Sequence, residues 1–281
     1  MAGRVLIVGH SPDPDDAFMF YGIVSGAVKI PGFNEIREVI DDIESLNKRL
    51  LEGDVLDASA ASFHAALHIA QRYYVLRVGA SMGIGYGPVV VAKRRLDSLR
   101  GARIAVPGRW TTAYLLLRLA LEDAFEPVFA KFDEIPSLVE RGEVDAGLLI
   151  HEEQIAFERR GLIKVFDLWE WWESRVGKLP LPLGVDVFAK RLGVEAARGF
   201  AEALRRSILY AREHQKEALH HAMRFSRVRD PELVSRFINM YVNDYTLDMG
   251  EDGIRAHKAL AELAVEAGLV PRDILDYLEF V

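Results

Sequence analysis

One histidine stands where an apolar run ends and a helix-like pattern begins. His151 follows Asp145-Ala146-Gly147-Leu148-Leu149-Ile150 and precedes Glu152-Glu153. Imidazole titrates near neutrality and is the commonest general acid or base. A strand that hands it to a helix start can present it at the edge of a cleft, where the helix N-terminus would favour the neutral, proton-accepting form. The plainer use is capping or packing. A zinc helix is the weaker reading, because His-Glu-Glu-Gln lacks a second histidine.

Three further segments place polar groups at a strand-to-helix junction. Gly9-His10-Ser11-Pro12-Asp13-Pro14-Asp15-Asp16-Ala17-Phe18 ends the β-like run Val5–Val8. Pro14 suits a first helical turn, and Ser11, Asp13 and Asp15 can cap orphan N–H groups. Asp57-Ala58-Ser59-Ala60-Ala61-Ser62 brings Ser62 to a helix start, to cap it or to donate its hydroxyl to an anion. Pro107-Gly108-Arg109-Trp110-Thr111-Thr112-Ala113 offers two hydroxyls and several N–H groups, a seat for a carboxylate or phosphate, with ordinary capping as the simpler use. A metal site built on Asp13, Asp15 and Asp16 has no histidine partners nearby in sequence.

Other segments read as walls. Ser81-Met82-Gly83-Ile84-Gly85-Tyr86-Gly87-Pro88 is not a dinucleotide fingerprint, because a strand rather than a helix follows. It reads as a tight loop lining the cleft. Trp169, Trp171 and Trp172 form either an aromatic wall or a packing patch. His64, His68, His220, His221 and His257 lie on helical segments and read as structural.

The elements that must hold these residues alternate. Strands are predicted at Val5–Val8, Glu35–Ile40, Ala58–Ala60, Tyr74–Val78, Val89–Lys93, Arg103–Val106, Val128–Lys131, Asp145–Ile150 and Val185–Ala189, with helical segments between several of them. That alternation predicts an α/β protein with largely parallel sheets. Beyond about residue 192 the pattern turns helical, ending in a segment at Pro271–Leu278. Breaks near residues 92–101 and at Leu179-Pro180-Leu181-Pro182-Leu183-Gly184 predict a large lobe of residues 1–92 plus 186–281 and an inserted small lobe of residues 93–185. Two crossings make a hinge with a central cleft, a common ligand site.

Composition narrows the classes. The chain has 281 residues, 50% hydrophobic and 27% charged, enough for a large packed core. A net charge of −7 argues against nucleic acid or an anionic membrane as the main partner, and leaves room for a local pocket that takes a small anion. There is no cysteine, which excludes disulfides, thiolate nucleophiles and cysteine–metal centres. No apolar run is long enough to span a bilayer. The opening residues lack the basic and apolar regions of a secretory signal, so a cytoplasmic protein is expected. The oligomeric state is left open.

Taken in order, these segments resemble the 1,4-dihydroxy-6-naphthoate synthase family. Ser11–Phe18 matches the family's Ser-Pro-Cys-Pro-Asn-Asp-Thr-Phe, and Asp42-Ile43-Glu44-Ser45-Leu46-Asn47 its Asp-Ile-x-x-Leu-Asn. Ser62, Gly83–Pro88, Pro107-Gly108 with Thr111-Thr112-Ala113, and Asp145-Ala146-Gly147 fit later motifs. Ile150-His151-Glu152, Trp171-Trp172-Glu173, Pro182-Leu183-Gly184 and Tyr241-Val242-Asn243 complete the series. The resemblance departs at Asp13, Asp15 and Ala17, where the family has Cys, Asn and Thr. It departs again at Gln154, which begins a run where the family has Arg-Phe-Thr-Tyr, and at Trp169, where it has Gly. These changes add negative charge near the inferred pocket and remove an arginine.

The resemblance implies a two-lobed fold like the type 2 periplasmic binding proteins. It implies a carbon–carbon lyase that converts cyclic dehypoxanthinyl futalosine into 1,4-dihydroxy-6-naphthoate on the futalosine route to menaquinone, losing a three-carbon fragment. No cofactor or metal is implied. By the same analogy His151 is the general base. Ser62, Thr111 and Thr112 hold the small-molecule carboxylate substrate or its hydroxyls, and Ser11 and Asp16 shape the other wall. The competing expectations are a non-catalytic solute-binding protein for a small organic anion, an enzyme that dehydrates chorismate, and a metal-dependent enzyme on the three aspartates.

Overall fold

The computed structural model describes residues 4–53, 55–226 and 228–281. Strand and helix alternate from the start: β1 (Val5–His10), α1 (Pro14–Val24), β2 (Glu35–Ile40), α2 (Ile43–Glu52), β3 (Ala58–Ser62), α3 (Phe63–Ile69), β4 (Tyr73–Val75) and β5 (Ser81–Gly83). There follow β6 (Val89–Ala92), β7 (Arg103–Val106), α4 (Thr112–Leu121), β8 (Glu126–Phe129), α5 (Ile135–Arg141), β9 (Ala146–Leu149), α6 (Glu153–Ala156), β10 (Ile163–Asp167) and α7 (Leu168–Val176). β11 (Leu181–Ala189) leads into α8 (Val194–Glu213), α9 (Gln215–Met223), α10 (Pro231–Tyr241), α11 (Asp244–Leu247) and α12 (Gly250–Glu266). The α/β architecture with a helical C-terminal region is therefore present. The last segment, expected to be a helix over Pro271–Leu278, is a 3₁₀ turn over Arg272–Tyr277.

Local chemistry accounts for the boundaries that matter to the site. Pro14 starts α1 with its φ already set for a helix. Asp42 caps α2 by accepting from the N–H groups of Glu44 and Ser45. The Thr111 hydroxyl does the same for Tyr114 at the head of α4. β3 is small-residued (Ala-Ser-Ala-Ala-Ser) and wholly buried, which lets helices and cavity crowd against it.

Two sheets result. The first runs β2-β1-β3-β11-β4, with β5 also on β11; the second runs β10-β6-β9-β7-β8. Only part of each is parallel. β1 pairs in parallel with β2 and β3, and β7 with β8 and β9. β11 is antiparallel to β3, β4 and β5, and β6 is antiparallel to β9 and β10. The prediction of largely parallel sheets fails at these two strands for one reason. β6 is reached straight from β5 of the other sheet, and β11 from β10 of the other sheet by way of α7; neither follows a crossover helix within one sheet, so nothing imposes a parallel direction.

The C-terminal helices pack behind the first sheet. Ser207 on α8 donates to the Met19 carbonyl at 2.6 Å and accepts from the Ile23 N–H at 3.1 Å, tying α8 to α1. Trp172 on α7 is fully buried and donates its indole N–H to the Leu179 carbonyl at 2.8 Å. Trp169 and Trp171 pack partly buried against the same core. The tryptophan cluster is thus a packing patch, and none of the three lines the cavity described next.

Candidate active site

A cavity with about 700 Å³ of empty space, mouth included, opens where the ends of β1, β3 and β11 face the end of β9 and the head of α4. Ser11, Asp16, Ser62, Thr111, Thr112 and His151, all singled out from the sequence, line it together.

His151 arrives directly from β9 and takes a left-handed backbone conformation, with φ 53°. A non-glycine residue holds that conformation only when its surroundings enforce it. Here its ring packs edge-on against Phe132 at 4.8 Å, and its Nε2 lies 3.2 Å from Oδ2 of Asp13. The helix expected to follow His151 and tune this ring is only one turn, followed by a 3₁₀ turn, and a single turn carries little dipole. The charged neighbour that matters is Asp13. Asp13 holds the N-cap position of α1 but makes no side-chain capping bond. Its carboxylate turns to the histidine instead, which corrects the capping reading.

Ser11 is held by its backbone, which donates to Oδ2 of Asp16 at 2.8 Å. Ser62 stands at the N-cap position of α3 without capping it. Asn47 grips it at two points. The Asn47 amide donates to the Ser62 hydroxyl at 3.0 Å, and the Ser62 N–H donates to the Asn47 carbonyl at 2.9 Å. The hydroxyl is so fixed against the cavity, and its own hydrogen has no acceptor among the described residues.

The two threonines are committed to the protein. Thr111 donates to the Gly108 carbonyl at 2.9 Å besides capping α4. Thr112 donates to the Leu183 carbonyl at 2.5 Å and accepts from the His64 N–H at 3.3 Å. What they leave for a ligand is the head of α4 itself, whose first N–H groups have no acceptor within the helix. Two other N–H groups expected at this seat, those of Arg109 and Trp110, are taken at 3.0 Å each by the Glu44 carboxylate from α2. Burial raises the affinity of Glu44 for its proton above the usual carboxylate range. Gly108 makes the approach possible, since a Cβ there would collide with the Glu44 carboxyl group.

The cavity also holds residues that sequence reasoning did not assign to the ligand. Asp15 lines it beside Asp16, and Asp186 projects into it from β11. Burial, and then the neighbouring Asp16 charge, push Asp15 up to about 8 and Asp186 well above the usual aspartate range. Gln154 and Tyr241 also line it, the Tyr241 hydroxyl donating to the Gln154 side-chain carbonyl at 2.8 Å. Burial keeps that phenol protonated. Of the helical histidines, His64 and His257 are buried. Burial pushes His64 down to about 3 and His257 down to about 4. Among the described residues, no three histidines or carboxylates gather to hold a metal ion, the aspartates of the α1 turn included. No helix among the described residues is long and apolar enough to cross a membrane.

Comparison with known proteins shows the family. A family profile described as menaquinone biosynthesis matches residues 6–266. A 1,4-dihydroxy-6-naphthoate synthase of Thermus thermophilus is 43% identical over 266 residues, covering 95% of this chain and 96% of that one. Its counterpart from Streptomyces coelicolor is 34% identical, with both chains fully covered. A crystal structure of a protein from Archaeoglobus fulgidus superposes with a TM-score of 0.91 at 49% identity, covering 96% of this chain and all of that one. The alkanesulfonate-binding protein of Xanthomonas axonopodis pv. citri superposes at 0.73 with 15% identity over the whole of both chains, a likeness of periplasmic-binding-protein fold alone. The chain belongs to the menaquinone biosynthesis family.

Proposed function

We propose that this chain performs the reaction its relatives are named for, and does so as a carbon–carbon lyase that forms 1,4-dihydroxy-6-naphthoate from cyclic dehypoxanthinyl futalosine. The observation that carries the reading is the His151–Asp13 pair at the cavity wall. His151 takes a proton from the substrate as a carbon–carbon bond breaks, and the three-carbon fragment departs. The electron pair passes into the ring system, which gains aromatic stabilisation. Asp13 orients the imidazole and stabilises the imidazolium that forms. A cleavage triggered by a base and driven by aromatisation asks for no cofactor.

The substrate carboxylate sits at the head of α4, between Ser62 and Thr111-Thr112, where free N–H groups favour an anion. Ser11 and Asp16 face the hydroxyl-bearing side. We infer that each sheet is the core of one lobe, with β6 and the first residues of β11 falling on the other side of the division 1–92 plus 186–281 and 93–185. Their approach excludes water from the reacting bond. A solute receptor or a chorismate-dehydrating enzyme is less favoured, since two relatives that align over nearly their whole length are named as naphthoate synthases. Incubation with the cyclic futalosine derivative, with naphthoate release followed by mass spectrometry, tests the proposal. Product from the wild-type chain and almost none from His151→Ala is the expected result. Binding of the compound without conversion would point to the receptor instead.

A further inference from the structure

One end of the cavity gathers three carboxyl groups, Asp15 and Asp16 on α1 and Asp186 on β11. Asp16 already accepts a backbone N–H, that of Ser11. The other two differ. Oδ1 of Asp15 and Oδ1 of Asp186 are shielded from solvent and have no hydrogen-bond partner among the described residues. Both residues are more than nine-tenths buried. Gly79 is shaped around Asp186, because a Cβ there would collide with its carboxyl group. An ionised carboxylate placed so would be an uncompensated buried charge. A neutral carboxylic acid needs only an acceptor for its O–H. The cavity is where that acceptor would arrive.

We propose that Asp15 and Asp186 act as neutral carboxylic acids that donate hydrogen bonds to hydroxyl or carbonyl oxygens of the ligand, so that this end of the cavity selects an uncharged, oxygen-rich part of the substrate. The inference rests on the synthase reading and adds a polarity to the site. The anionic end of the ligand lies against the head of α4, and its hydroxyl-bearing end against the acids. The Asp16 carboxylate between them accepts hydroxyl hydrogens. A second anionic group at this end would meet three acidic side chains and is rejected. Asp15 is faced by Asp13 and Asp16 from its own turn, by His151 from the end of β9 and by the Tyr241 hydroxyl from α10; Asp186 is faced by Asp16. Of these only His151 favours ionisation of Asp15.

Two measurements test it. In the ligand-free protein labelled with ¹³C at aspartate carboxyls, the signals lost in Asp15→Asn and in Asp186→Asn are expected to be those of protonated acids at pH 7. The Asp15 signal is expected to titrate near pH 8. If either signal is that of a carboxylate at pH 7, the inference is overturned, whatever the substrate. The second measurement is the KM for the cyclic futalosine derivative. Asparagine keeps a neutral donor and leucine does not, so KM for Asp15→Leu and Asp186→Leu is expected to exceed that for the matching asparagine variant by about tenfold or more. In the wild type KM rises as pH passes about 8 and Asp15 ionises; in Asp15→Asn that rise is absent. Equal KM values for asparagine and leucine variants, or an alkaline rise that persists in Asp15→Asn, overturn the inference. If the compound is neither bound nor turned over while the ¹³C result stands, it is the synthase reading that fails.

Discussion

Nε2 of His151 and Oδ2 of Asp13 lie 3.2 Å apart, although one follows β9 of the second sheet and the other follows β1 of the first. The pair therefore spans the two halves of the site. On the proposed reading His151 is a base that is complete only when these two turns are together. The left-handed backbone at His151 fits the same picture, since β9 must turn sharply to aim the ring across the gap.

From this pairing, His151→Ala is expected to lower kcat by about 10²–10⁴-fold while ligand affinity changes little, because only the proton acceptor is lost. Asp13→Asn keeps the shape but not the charge that orients the ring and balances the imidazolium. It is expected to lower kcat by a smaller factor, about 10–10²-fold. Steady-state kinetics with calorimetric binding separates the two effects. Near-normal turnover in His151→Ala would remove the base assignment.

Ser62 carries a different expectation. Its hydroxyl is held by Asn47 at the cavity wall, and on the proposed reading it contacts the ligand, so Ser62→Ala should raise KM about 5–10-fold, the worth of one hydrogen bond, with a smaller change in kcat. Asn47→Ala should reproduce the KM effect without touching the ligand, because it releases the serine. An unchanged KM in both variants would take Ser62 out of the substrate contacts.

Glu44 links α2 to the loop before α4 through two backbone N–H groups. Glu44→Ala leaves both donors without their acceptor and is expected to cost about 1–3 kcal/mol in urea denaturation. Gly108→Ala is expected to cost a comparable amount by another route, since its new methyl group displaces the same carboxylate. If the two variants are combined, the loss should fall well short of the sum, because both break one contact.

How much of this was legible in the sequence follows from how local each feature is. The turns that carry Ser11, Ser62, Thr112 and His151 are strand-to-helix junctions, written in a few adjacent residues, and the cavity unites them. What those residues bond to was not legible. Glu44 reaches N–H groups 65 and 66 residues away, and Tyr241 reaches Gln154 across 87. Asp186 sits in Val185-Asp186-Val187-Phe188, where one polar residue among apolar ones reads as an ordinary solvent-facing position of a strand. It is in fact almost wholly buried, because β11 runs through the middle of its sheet. Strand direction was lost for the same reason, being decided by where the chain comes from and not by the residues of β6 or β11.

The Asp15 carboxyl should also leave a mark on stability that needs no substrate. Its proton affinity is raised from the usual 3.8 to about 8 in the folded chain by burial and the adjacent Asp16 charge. Between those two values the folded state holds a proton that the unfolded state has released, so the contribution of Asp15 to stability falls as pH rises through this window and levels off above about 8. Below the unfolded value both states are protonated and no such penalty exists. Asparagine has no proton to hold, so Asp15→Asn should gain on the wild type as pH rises. The difference in unfolding free energy should grow by more than about 1 kcal/mol from pH 4 to pH 7 and flatten only above about pH 8. Urea denaturation of both proteins across that range measures it. A difference that stays constant with pH would mean that Asp15 ionises as readily in the folded chain as in the unfolded one, and its place at the inner end of the cavity would then have to be reconsidered as that of a charged group.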